Sequence, residues 1–388
     1  MEEMCVRCKG RGFCKQPCKI LAKFIDRAPR VKTHFSGSTP PEVFVGKANY
    51  PNVFSGILSP TEKGDTTRFS SCEEWVKKNL SIEEILELRG AMIYGRSTSH
   101  IRGSNSLKQV TQELALSSRP VSSEFFLKKK PSFRFEASNV FTIMANPALL
   151  DRVRIEENPI VEKKVDYLTG DHDVKATTAL MELYKSGISN SHLNKLLSVG
   201  LLGVKMQRKM VPTRWSITAV DDTISKQMLD RIRFYQELND IRIFNSEYNG
   251  NHYEILLLPG YFEYEVIEAR MGEDNYFMQD YENFHGRKDY AREVAGAYYA
   301  NRLAVCEYLE RVNRQASALI FREVRPEYYA PLGVGILREA TRNAFNKKPE
   351  TATTIGQAFG IMQTRMRIPI NRFMEKSWLL KHYGQQKK

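Results

Sequence analysis

No apolar run in this 388-residue sequence approaches the roughly 18 residues that a membrane-spanning helix requires. The N-terminus opens Met1-Glu2-Glu3 and runs into cysteines and basic residues, so it lacks the apolar stretch of a secretory signal. Those two absences point to a cytoplasmic protein. The sequence also lacks GxSxG, HExxH and the protein-kinase motif set. Gly333 and Gly335 resemble part of a phosphate loop, but no Walker lysine follows where one is needed. There is no internal repeat and no low-complexity tract. Cysteine is scarce beyond residue 18: only Cys72 and Cys306 remain, and they read as ordinary buried or half-buried thiols. No catalytic residue is identified, and the chain reads more readily as a non-enzyme.

What is present begins with charge. The net charge is +13, and it is unevenly placed. Residues 1–50 hold ten Lys/Arg against four Asp/Glu, and residues 334–388 hold eleven against three. The middle of the chain is close to neutral. Two basic ends suit contact with a polyanion, and the alternative is a generally basic cytoplasmic protein.

Four of the six cysteines, Cys5, Cys8, Cys14 and Cys18, fall in the first 18 residues as C-x2-C-x5-C-x3-C. Disulfides are rare in a cytoplasm, so this density points to metal. A C-x2-C pair reaches one ion from a tight turn, and a pair four apart does so from a helix start. Gly10 and Gly12 supply the turn between them. Four thiolates suit a closed, structural zinc site. An iron–sulfur cluster takes the same ligands and stays open as an alternative. Lys9, Arg11, Lys15 and Lys19 surround the cysteines and could touch phosphate.

A second basic stretch, KMQRKMVPTRWSITA, places Lys205, Arg208, Lys209 and Arg214 beside Trp215. Arginine with an aromatic ring is equipment for gripping phosphate and stacking on a base. The alternative is a strand with Trp215 in the core and the cations outside. Asp166, Asp171, His172 and Asp173 form an acidic cluster, and Asp221 with Asp222 another. Paired carboxylates can hold divalent ions in a nuclease, but turns and helix caps use the same residues.

Pattern predicts a mixed α+β fold, helices with antiparallel strands, carrying a small N-terminal four-cysteine zinc module. Three regions are expected: the zinc module at 1–24, a region 25–270 and a region 271–388. Residues 33–65 hold too many aromatic and aliphatic side chains for a tether and read as ordered loops and short strands. Ser81 with Glu84 forms a capping box for a helix to about Tyr94, and helices are expected near 106–116, 174–186 and 189–198. A further helix begins at Asp221 or Asp222. Strands are expected through 241–268, with Asn249-Gly250 as a hairpin turn, and at 317–324. Residues 119–143, with Phe133 and Phe135, also read as containing strands. Helices then follow near 289–313, 335–345, 353–364 and 370–383.

Three stretches carry a resemblance. THFSGSTPPEVFVGKANYPNVFSGILSP, then KLLSVGLLG followed by RKMVPTRWSITAVDD, then the segment from Arg292 to Phe345 resemble, in order, signatures of the archaeal Nre family. The resemblance implies a role in archaeal DNA-damage repair, with DNA as a partner, and an N-terminal cysteine module. It also implies a C-terminal sliding-clamp-binding box, a Gln followed by an aliphatic residue and two aromatics. Gln363 is followed by Met366 but then by Pro369 and Ile370; Gln315 reaches Phe321 but then Arg322; Gln385 and Gln386 have almost no chain after them. The box is not matched here. Two other readings remain beside a DNA-binding repair factor. One is a metal-dependent nuclease or nucleotide-dependent enzyme; the other is a scaffold that contacts proteins and not DNA.

Overall fold

The computed structural model describes Cys8 and residues 18–131, 144–272 and 275–383. Contacts divide them into two units, one running to Ile224 and the other from Ser225 onward together with Cys8. The 270/271 division read from sequence lies in the turn of a hairpin in the second unit.

The first unit opens on α1 (Lys19–Arg27), which buries Ile20 and Phe24. Its sheet has the order β1-β5-β6-β4-β3-β2. The strands are β1 (His34–Thr39), β2 (Glu42–Val45), β3 (Asn52–Pro60), β4 (Met92–His100), β5 (Val121–Leu127) and β6 (Asn146–Ile155). Residues 33–65 are therefore strand-forming, as their apolar content required. β4 and β6 run parallel, so the sheet is mixed where antiparallel pairing alone was expected. Two glycines permit close approaches. A Cβ at Gly37 would lie 2.0 Å from the Pro60 carbonyl oxygen, and one at Gly56 would lie 1.9 Å from that of Gly95. Phe35, Ile57, Ile93, Leu114, Phe125 and Leu150 build one core on this sheet.

Helices α2 (Cys72–Lys77), α3 (Ile82–Gly90), α4 (Ser106–Leu116), α5 (Lys163–Gly170), α6 (Ala176–Lys185) and α7 (Asn190–Ser198) complete the unit. The Ser81–Glu84 capping box forms in full at the start of α3. Ser189 caps α7 by accepting from the His192 amide.

α8 (Thr213–Ile232) leads into the second unit. It begins eight residues before Asp221, so Asp221 is not a cap. The side chain instead lies fully buried within the helix and accepts from Asn190 Nδ2 at 3.2 Å. The second sheet has the order β10-β9-β11-β8-β7-β12. Its strands are β7 (Ile241–Tyr248), β8 (Asn251–Leu258), β9 (Glu263–Arg270), β10 (Tyr276–Glu282), β11 (Ser317–Val324) and β12 (Glu350–Ala352). Asn249 and Gly250 both take positive φ, 49° and 74°, as a two-residue hairpin requires.

α9 (Gly296–Val312) carries the chain from the β9–β10 hairpin back to β11. That strand then lies parallel to β9 and antiparallel to β8. α10 (Val334–Phe345) packs on α9 and on β7. The other face of the sheet, with Ile243, Leu256, Ile267, Leu319 and Phe321, is covered by α11 (Ile355–Gln363), α12 (Ile370–Met374) and α13 (Trp378–Tyr383). The single helix expected over 370–383 is broken at Ser377. Its hydroxyl, with the Trp378 and Leu379 amides, donates to the buried Glu265 carboxylate. Among the described residues no helix is long and apolar enough to cross a membrane.

Candidate nucleic-acid interface

Trp215 stands in the first turn of α8, a helix and not the strand weighed from sequence. Its ring is 46% exposed. The segment before it is held on three sides. The Met210 amide donates to the Ile101 carbonyl at 3.0 Å, the Val211 amide to Ser198 O at 2.8 Å, and Thr213 Oγ1 accepts from the Val45 amide at 2.9 Å. Pro212 then starts the helix, its carbonyl accepting from the Trp215 and Ser216 amides. This clamps the helix start against the ends of β2 and β4.

The turn between β2 and β3 meets it there. Tyr50, 41% exposed, places its ring centroid 5.2 Å from that of Trp215 at 52°. The Pro51 carbonyl accepts from the Ile101 amide, tying this turn to the end of β4. Three segments thus converge: Gly46–Asn52, His100–Gly103 and Lys209–Trp215. Together they carry Lys47, Arg102, Lys209 and Arg214, all exposed, and no Asp or Glu. An exposed aromatic pair framed by four cations can stack on a base while the cations reach phosphate.

The other residues singled out in sequence divide. Arg208 turns away from the surface: its Nε, Nη1 and Nη2 donate to the carbonyls of Gly203, Thr169 and Asp171 at 2.6, 2.7 and 2.5 Å. It is a structural clamp, because a planar guanidinium with fixed N–H directions suits three converging carbonyls. Lys19 is exposed at the start of α1; Lys9, Arg11 and Lys15 lie outside the described residues. Cys8 is buried and Cys18 occupies the N-cap of α1, while Cys5 and Cys14 lie outside the described residues. Phe133, Phe135, Gln385 and Gln386 also lie outside them.

Two of the acidic residues, Asp171 and Asp221, hold the fold together. Asp171 Oδ1 accepts from the Asp173 and Val174 amides in a turn. No group of three or more His, Cys, Asp or Glu residues suited to a metal occurs among the described residues. Gln315 spends its carboxamide on Tyr235 O and the Phe262 amide, and Gln363 on Met366 O and the Ile370 amide. Neither is an outward anchor for a clamp.

Sequence reading missed one polar cluster. Ser191 Oγ donates to the Glu73 carboxylate at 2.7 Å, and Cys72 Sγ lies 3.6 Å from Ser191 Oγ. Lys195, one turn on, reaches Glu42 at 3.9 Å. Burial pushes the Glu42 carboxyl above the usual range; Lys195 pulls it back, and the nearby Glu73 charge adds to the rise. Asn194, on the same helix face, keeps a buried Oδ1 with no partner among the described residues. The cluster assembles from three segments far apart in sequence, and none carries a motif.

Comparison with known proteins follows the same stretches. The family model for the N-terminal part of archaeal Nre matches residues 13–276, and that for the C-terminal part matches residues 282–388. The chain is 35% identical to DNA repair protein NreB of Archaeoglobus fulgidus, over 99% of this chain and 98% of that protein. It is 36% identical to DNA repair protein NreA of Haloferax volcanii, over 83% of this chain and 80% of that protein. It is 33% identical to DNA repair protein NreA of Archaeoglobus fulgidus, over 93% of each. No solved structure matches. The family models part near residue 280, whereas the compact units part at 224/225, within α8.

Proposed function

This chain belongs to the archaeal Nre family, and from that membership we propose that it acts in DNA repair, binding single-stranded DNA at the Tyr50–Trp215 surface. Relatives named DNA repair proteins support the role. The observation that carries the binding mode is the exposed ring pair set among three segments that hold four exposed cations and no Asp or Glu of their own. Bases stack on Trp215 and Tyr50, and Lys47, Arg102, Lys209 and Arg214 meet phosphates. Each phosphate contact releases condensed counterions, so log K against log salt falls with a slope of about −0.7 per contact on a single strand.

Titration of an oligothymidylate strand at several salt concentrations tests this. Trp215→Ala should lose about 1–3 kcal/mol of affinity with its melting temperature held, and Arg214→Ala should flatten the salt slope. A flat salt response with no affinity for single, duplex or branched DNA defeats the reading and favours the scaffold.

The same proposal gives the N-terminal cysteines to one structural zinc ion, held by Cys5, Cys8, Cys14 and Cys18. In its support, Cys18 stands at the N-cap of α1 and Cys8 is buried. Elemental analysis should return about one zinc per chain. Iron with a brown colour, or no metal in intact protein, rejects it.

A further inference from the structure

We propose that the second unit carries its own single-strand stacking surface, formed by Phe234, Tyr261 and Phe284; the inference rests on the reading that this chain engages DNA. Phe234 is 87% exposed, more than any other large hydrophobic side chain among the described residues. It sits in the turn that follows α8. Tyr261, 57% exposed, sits in the turn between β8 and β9. A solvated Phe is ordinary on a loose loop, but neither turn is loose.

One buried residue pins both. The Gln315 carboxamide donates through Nε2 to the Tyr235 carbonyl at 2.6 Å and accepts the Phe262 amide through Oε1 at 3.2 Å. Its own backbone continues the brace: the Gln315 amide donates to Gln236 O, and its carbonyl accepts the Leu238 amide. Ser317 Oγ holds the Tyr261 carbonyl from the other side at 2.9 Å. The two turns are thereby locked beside each other with their rings outward.

Phe284 touches a residue of each turn. Its ring meets Tyr261 edge-on at 5.6 Å, and the Arg233 guanidinium lies over it at 5.8 Å. His285 meets it edge-on as well. The turn Asn283–Arg292 adds Lys288 and Arg292 against Asp289, while Arg287 is spent on Asp280 at 2.9 Å, and the turn after α8 carries one exposed acid, Glu237. No exposed Leu, Ile, Val or Met belongs to these three turns. An apolar protein segment seeks an aliphatic groove, which is missing. Rigid separate rings with cations among them suit unpaired bases and their phosphates.

The test uses the full chain, an oligothymidylate strand and the same strand carrying 5-bromouracil. Phe234→Ala and Tyr261→Ala should each weaken binding about 5- to 100-fold without moving the thermal melt, since both rings are exposed. Ultraviolet cross-linking should attach the brominated strand to the peptides holding Phe234 or Tyr261. If Trp215→Ala weakens binding while Phe234→Ala and Tyr261→Ala do not, this second surface is wrong and the first stands. If the wild-type chain binds no strand, both fall. If Phe234→Ala instead lowers the sedimenting mass, the rings meet a second copy of the chain and the proposal is overturned.

Discussion

The two sheets have six strands each and differ in how much charge they bury. In the first unit, every second residue of β5 is buried, and ion pairs such as Lys63–Glu156 and Lys164–Glu182 lie at the surface. In the second unit, β8 and β11 are buried along their whole length, and β9 up to Arg270. Those strands nevertheless carry His252, Glu254, Glu265, Glu268, Arg322 and Glu323. A strand covered on both faces normally reads as a continuous apolar run. Here the charges stay because each finds a partner. Arg322 bonds Glu268 and Asn251, Arg325 bonds Glu323, and Arg365 forks onto Glu254. Below them Arg302 and Glu282, both 1% exposed, pair at 2.9 Å. Along β5 of the first sheet alternation sets the register; in the second sheet, buried on both faces, the pairing of interior charges does so, which costs desolvation and penalises any slipped register.

That contrast is sharpest at Arg302. Arg302→Met strands the Glu282 carboxylate in the core, and denaturant unfolding should show a loss of about 3–5 kcal/mol. Pairing it with Glu282→Leu should recover most of the loss. A double variant as weak as the single one would mean that the pair does more than cancel its own burial.

Acid should act on the first unit through one residue. His192 is buried, and its Nε2 donates to the Ala115 carbonyl at 3.0 Å. Burial, helped by Lys195, pushes its pKa down to about 4. The unfolded chain takes up the proton near pH 6.5 and the folded chain only near 4, so stability is intact above 6.5 and declines as pH falls through this window. The decline should approach about 3 kcal/mol by pH 4. His192→Asn should flatten that part of the profile; an unchanged profile would assign the acid sensitivity elsewhere.

The smallest effect separates two arginines. Arg208→Lys keeps the charge but cannot satisfy three carbonyls, and should cost about 2 kcal/mol of stability with single-strand affinity unchanged. Arg214→Ala should do the reverse. If Arg208→Lys weakens binding without moving the melt, the assignment of Arg208 to structure is wrong.

Local signals were legible before any coordinates. The Ser81 capping box, the Ser189 cap, the Asn249-Gly250 turn and the β11 strand each depend on residues within a few positions of one another. Their physics is complete within one turn of chain, so sequence alone determined them. The four-cysteine spacing and the basic ends are likewise properties of the chain itself. The start of α8 was not legible, because Asp221 looks like a cap until Asn190, on another helix, takes its carboxylate into the interior. Arg208 and Arg214 are equivalent as letters; only the carbonyls of Thr169 and Gly203 turn one of them inward. Tyr50 gave no sign of function until folding set it against Trp215. Glu42, Glu73 and Ser191 share no motif, and Gln315 looked like a failed clamp anchor and not a brace between two turns. In each case the deciding partner lies far away in sequence, and the free energy that selects it comes from burial and hydrogen-bond satisfaction, which exist only once the chain has closed on itself.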